Sequence, residues 1–135
     1  MAVPYLQVVT QRHKTDCGVA CLAMLLHKSY EETVMAFHED VLTEGSTNSQ
    51  LIRAAKRMDR VLQWSRKINL ETDTGILMVS GWFSQAAKKR AKRVNHLVVL
   101  KEGLIIDTDA TLWDVDVYVA AFQVKVLSLL IEKGD

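Results

Sequence analysis

A chain of 135 residues, 49% apolar and 24% charged, has the size and balance of one globular domain with its own core and is too apolar for a disordered chain. Seventeen basic side chains nearly cancel sixteen acidic ones, which argues against nucleic-acid binding through bulk charge, and two cysteines are too few for a disulfide scaffold or an all-cysteine zinc site. No apolar run nears the ~20 residues that span a bilayer, and the first ten residues carry no basic residue of a secretory signal, so a cytoplasmic protein is expected.

Pro4 is the only proline, and no repeat or Gly/Ser linker interrupts the chain, so residues 1–135 read as one domain. Val3, Tyr5, Gln7 and Val9 alternate as in a short extended entry. Thr15 and Asp16 then offer helix N-caps. The stretch Val19-Ala20-Cys21-Leu22-Ala23-Met24-Leu25-Leu26 is apolar on almost every side, the mark of a buried helix, and Cys17 opens it. Ser29 with Glu32 three residues later starts a second short helix, with Tyr30, Val34 and Phe37 facing inward. Gly45-Ser46-Thr47-Asn48 is a loop and cap before a third helix. There Leu51, Ile52, Ala55 and Met58 fall at helical spacing, and Arg53, Lys56, Arg57 and Arg60 lie outside. Beyond it, residues 61–64 and 76–79 read as strands. Residues 84–93 form a basic helix or loop. Segments 96–100 and 104–107 flank Lys101-Glu102-Gly103 as a hairpin, and 124–127 is a last apolar strand. Helices first and strands second is the α+β class.

Three kinds of side chain in this order suit acyl transfer. At the head of a buried helix the backbone N–H groups and helix dipole favour a thiolate at Cys17. A thiol nucleophile needs a base, and the base needs an orienter. His96 begins one hairpin strand and Asp107 ends the other, so imidazole and carboxylate can meet across the ladder. Gln11 lies six residues before Cys17, and its amide can donate to an oxyanion beside the Cys17 N–H.

The segment from Gln11 through Asp16-Cys17-Gly18-Val19-Ala20-Cys21 to Leu25, and the block Asn95-His96-Leu97-Val98-Val99-Leu100 with Ile105-Ile106-Asp107, resemble the bacteriocin-processing, double-glycine leader peptidase family of papain-like cysteine peptidases. The resemblance implies a papain-like α+β fold, its central cysteine helix packed on a small antiparallel sheet. It also implies a Cys17–His96–Asp107 triad with Gln11 in the oxyanion hole. The implied substrate is a peptide or protein, cleaved after a Gly-Gly-type sequence. Two departures accompany it. Thr108 stands where the family has proline after its aspartate, which brings Asp109 in as an alternative orienter. The exporters that carry such domains have membrane spans and nucleotide sites, absent here, so a stand-alone peptidase is expected. A non-catalytic peptide-binding module and an isopeptidase acting on the C-terminal glycine of a small modifier protein are the alternatives.

Other residues have plainer readings. Cys21 is core. His13, Cys17 and Cys21 are spaced by four, but the helix starts after His13 and no fourth ligand offers itself, so neither metal nor cofactor is expected. His27 and His38 are surface or capping residues. Lys88, Lys89, Arg90, Lys92 and Arg93 make a solvated face, or a docking patch for an acidic partner bordering the cleft. Trp64, Trp82 and Trp113 belong to the core or its rim. Trp82 and Phe83, with Gly18 next to the thiol, are the candidate substrate-binding residues.

Overall fold

The computed structural model describes residues 7–13, 15–83 and 93–133. The extended entry at 1–6 and most of the basic run, 84–92, lie outside the described residues. Among those described, four helices pack on a six-stranded antiparallel sheet, an α+β architecture. Helices α1 (Cys17–Leu26), α2 (Tyr30–Ala36) and α3 (Asn48–Arg57) come first. Strands β1 (Leu62–Trp64), β2 (Thr74–Gly81), β3 (Val94–Lys101), β4 (Leu104–Ile106) and β5 (Leu112–Asp114) follow, then α4 (Val115–Phe122) and β6 (Lys125–Glu132). The strands are ordered β1-β6-β2-β3-β4-β5.

Alternation along the central strands explains the two layers. Ile76, Leu97, Val99, Ile106 and Leu130 face α1, α2 and α3. Their neighbours Leu77, Val79, Val98, Leu100, Ile105 and Leu129 face Val115 and Tyr118 of α4. A strand covered on both faces needs an unbroken apolar run, and Leu97-Val98-Val99-Leu100 supplies one. Helix α1 is buried from Gly18 to Leu26, as its all-round apolar sequence requires. Ser29 caps α2 by accepting from the Glu32 amide. Thr47 and Gln50 form a reciprocal capping box on α3. The β3–β4 turn is the two-residue loop Glu102-Gly103, with φ of 47° and 86°. Two positive φ values in succession are the geometry that matches strand twist in a hairpin, and glycine takes the second without strain.

The structure amends the sequence reading in three places. Strand β5 and helix α4 occupy residues 112–122, so the second half is not strands alone. The last strand is longer than residues 124–127: β6 runs from Lys125 to Glu132, and it inserts between β1 and β2. Trp64, expected in the core or on its rim, is 52% exposed on edge strand β1. No helix among the described residues is long and apolar enough to cross a membrane.

Candidate active site

The loop before α1 is built around Asp16. Expected as a side-chain cap, Asp16 does sit at the N-cap position, but with φ −100° and ψ 24° its carboxylate turns away from the helix. It accepts instead from the amides of Arg12 and His13, each at 3.0 Å, and from the Tyr30 hydroxyl. A fully buried carboxylate needs such partners. Burial and the hydrogen bond to this anion push the Tyr30 pKa up, so the phenol stays a donor. Arg12 stacks on the Tyr30 ring at 4.0 Å. The Thr15 hydroxyl donates to the Leu42 carbonyl at 2.6 Å. The loop is thereby tied to α2 and to the segment after it, and Cys17 emerges half-buried at the helix head.

His96 comes from β3. Ladder pairing of β3 with β4 begins at Val99 opposite Ile106, so the His96 end of β3 is paired by β2 and left open on its other side. Asp107 lies just past β4, one residue beyond the last pair. Its carboxylate reaches diagonally back, and Oδ1 accepts from His96 Nε2 at 2.7 Å. The Thr108 amide donates to the same oxygen at 2.7 Å, and the Tyr118 hydroxyl approaches Oδ2 at 3.5 Å. Phe83 covers the imidazole with ring centroids 5.4 Å apart. Asp109 is engaged elsewhere, accepting from the amide and hydroxyl of Thr111.

Electrostatics follow from these contacts. Burial lowers the His96 pKa, but the hydrogen bond to Asp107 and the interaction with Cys17 outweigh it and push it up to about 9. Burial opposes ionisation of Asp107, yet the hydrogen bond and charge of His96 and the Thr108 amide hold its carboxyl below the usual range. The pair therefore favours imidazolium against carboxylate, with Nδ1 of the ring left for another partner.

Cys17 and His96 share the lining of one groove of about 350 Å³, with Thr15, Glu44, Ser46 and Met78 along it. A second depression of about 260 Å³ shares Val94 and His96 with that groove and is lined further by Gln11, Phe83, Asp107, Thr108 and Phe122. Gln11 thus stands beside the histidine–aspartate pair. Its Nε2 donates to the His13 carbonyl at 2.6 Å, and its Oε1 accepts from the Thr108 hydroxyl. Of the aromatic pair read as a groove wall, Phe83 lines the depression. Trp82 instead carries the Arg93 guanidinium 5.6 Å from its ring centroid. Gly18 is buried where a Cβ would come within 1.9 Å of Ser46 Oγ and 3.3 Å of Leu51 and Leu97, so a larger residue there needs the Ser46 side chain to turn away.

Cys21 is sealed in the core. Burial, then the nearby Cys17 and Asp107 charges, raises its pKa well above 9.0, so it stays a neutral thiol. His13 is exposed while Cys21 is fully buried, so the spacing-of-four pattern does not converge. Among the described residues no three His, Cys, Asp or Glu side chains are grouped to hold a metal ion. His27 ends α1 in the left-handed conformation, its amide closing the last turn on Ala23 and Met24. His38 is exposed.

Sequence reasoning overlooked two neighbours of the pair. Tyr118 belongs to the helix that it did not assign. Thr108 had one signal, its place directly after Asp107 where proline was expected.

A family model described as the peptidase C39 family matches residues 5–72, half of the chain. The matched span holds Gln11 and Cys17 and ends before His96 and Asp107. No curated protein matches the chain significantly.

Proposed function

Since the chain belongs to the peptidase C39 family, papain-like cysteine peptidases, we propose that it hydrolyses peptide bonds with Cys17 as nucleophile, His96 as base and acid, and Asp107 as the orienter of His96. The observation that carries this reading is the polarised histidine: Nε2 is bound to a half-buried carboxylate, the pKa is raised, and Cys17 lines the same groove. His96 takes the Cys17 proton, and the thiolate adds to the substrate carbonyl carbon. The oxyanion rests on the Cys17 amide and on the second N–H of the Gln11 side chain, the first being spent on His13. As the C–N bond breaks, imidazolium gives its proton to the leaving amine and a thioester remains. Water attacks the thioester, its proton passes to His96, and the Cys17 thiolate departs with the acid released.

Cleavage after a Gly-Gly pair is the specificity this reading takes from the family resemblance. Contacts between thioester and transferred acyl group are the same for an isopeptide, so C-terminal glycine release from a modifier protein uses identical steps. A binding module without catalysis has no use for an imidazole held protonated beside a thiol, which favours the enzyme.

The test is thiol reactivity and trapping. At neutral pH Cys17 should alkylate much faster than an ordinary accessible thiol, and the His96→Ala variant should slow it to that ordinary rate, while Cys21 stays unreactive in both because it is buried. Cys17→Ala should retain a polypeptide that wild type cleaves, and mass spectrometry of the trapped and released chains reads the cleavage site. Equal alkylation of Cys17 in wild type and His96→Ala would overturn the assignment.

A further inference from the structure

We propose that Thr108 is a positioning residue, which fixes the Gln11 amide for the oxyanion and joins it to the carboxylate that orients His96. The inference rests on the reading of Gln11 as oxyanion donor and extends it to a residue that neither the family match nor the triad includes.

The proton count around Gln11 sets its orientation. A carbonyl only accepts, so the 2.6 Å contact to the His13 carbonyl must come from Nε2. The other end of the amide, Oε1, then faces the Thr108 hydroxyl, which must be the donor. That hydroxyl has a single proton and gives it to Gln11. Its 3.4 Å approach to Asp107 Oδ1 is therefore not a second donation. The backbone repeats the link, since the Gln11 amide donates to the Thr108 carbonyl at 2.9 Å. Thr108 is 1% exposed, so its hydroxyl is fixed among protein partners. Through its own amide it also donates to Asp107 Oδ1, the oxygen that holds His96. One buried residue thus touches both the oxyanion donor and the orienter. Its hydroxyl and carbonyl serve Gln11, and its amide serves Asp107. A proline at this position offers neither the amide proton nor the hydroxyl.

Because the two links use different atoms, they can be separated. Thr108→Val keeps shape and backbone and removes only the hydroxyl. Gln11 is then held at one end, and its free N–H wanders from the oxyanion. Turnover of a Gly-Gly p-nitrophenyl ester reports acyl transfer whatever the natural substrate is. Thr108→Val should lower kcat roughly tenfold, short of the ~100-fold or more that losing an oxyanion donor costs. KM should change little, and the alkaline limb of the pH profile should stay in place because the hydrogen bond from the Thr108 N–H to Asp107 survives. Thr108→Ser should restore the rate. In a Gln11→Ala background Thr108→Val should cost nothing further. An equal loss in both backgrounds, a shifted alkaline limb, or full activity in Thr108→Val overturns the proposal. Should the valine variant not fold, Thr108→Ala removes the same hydroxyl and is judged by the same criteria. Wild-type turnover unaffected by Cys17→Ala, or by Gln11→Ala, refutes the underlying reading instead, and this one with it.

Discussion

Replacing Asp107 by asparagine removes one negative charge from a hydrogen bond of 2.7 Å and leaves the shape of the site. His96 is held at about 9 against an ordinary 6.5, a preference for imidazolium of about 3 kcal/mol. Without the carboxylate, burial lowers the pKa and only Cys17 still raises it, and a return to the ordinary 6.5 sets the scale of the effect. At pH 8 the protonated fraction then drops about 30-fold, whereas at pH 6 it drops only about 1.3-fold. The loss in kcat/KM should follow that difference, on top of a pH-independent factor for lost orientation of the ring. Two measurements read it. NMR titration of the His96 ring, assigned by its absence from a His96→Asn variant, should move from about 9 in wild type toward 6.5. The alkaline limb of kcat/KM for a Gly-Gly coumarin amide should move with it. A limb that stays near pH 9 in Asp107→Asn, with the ring pKa unchanged, would refute the claim that Asp107 holds His96 protonated.

Three further outcomes follow from the same contacts. Gly18→Ala forces a Cβ to 1.9 Å from Ser46 Oγ and should cost about 1–3 kcal/mol in urea unfolding, partly recovered by adding Ser46→Ala. Cys21→Ala should cost about 1 kcal/mol of stability while leaving the alkylation rate of Cys17 unchanged, because the buried thiol contributes packing only. The pH dependence of stability has a definite sign. The raised His96 pKa contributes stability that is complete below about pH 6.5 and vanishes as pH rises through about 9, so the Tm advantage of wild type over His96→Ala should shrink across that window. The lowered Asp107 pKa acts in the opposite direction, its contribution present above the usual 3.8 and lost as pH falls through its lower folded value.

Local chemistry was legible where one short segment carries it. An all-apolar helix, a serine three residues before a glutamate, and a glycine at a hairpin turn each specify their own conformation through nearby atoms. Those signals placed Cys17 at a helix head and predicted that His96 and Asp107 could meet across a hairpin. Helix α4 escaped because Val115, Val117 and Val119 alternate as a strand would, while Val115, Tyr118 and Phe122 mark the helical face. Only packing against the sheet selects the second pattern.

Asp16 shows where sequence stops. An aspartate before a helix reads as a cap, yet its carboxylate serves the loop upstream, because Tyr30 and two backbone amides converge on it. The choice between Asp107 and Asp109 is of the same kind. Both lie on the correct side of a strand by counting, but β4 ends at Ile106, so Asp107 swings to His96 while Asp109 turns to Thr111. The sequence by itself determined the fold class, the buried helix and the residue types that suit acyl transfer, since these depend on periodicity and on contacts within a few residues. The tertiary structure alone decided that Thr108 bridges Gln11 and Asp107, and that β6 lies inside the sheet. Gln11 and Thr108 are 97 positions apart, and nothing in a local pattern encodes which distant donor meets which acceptor.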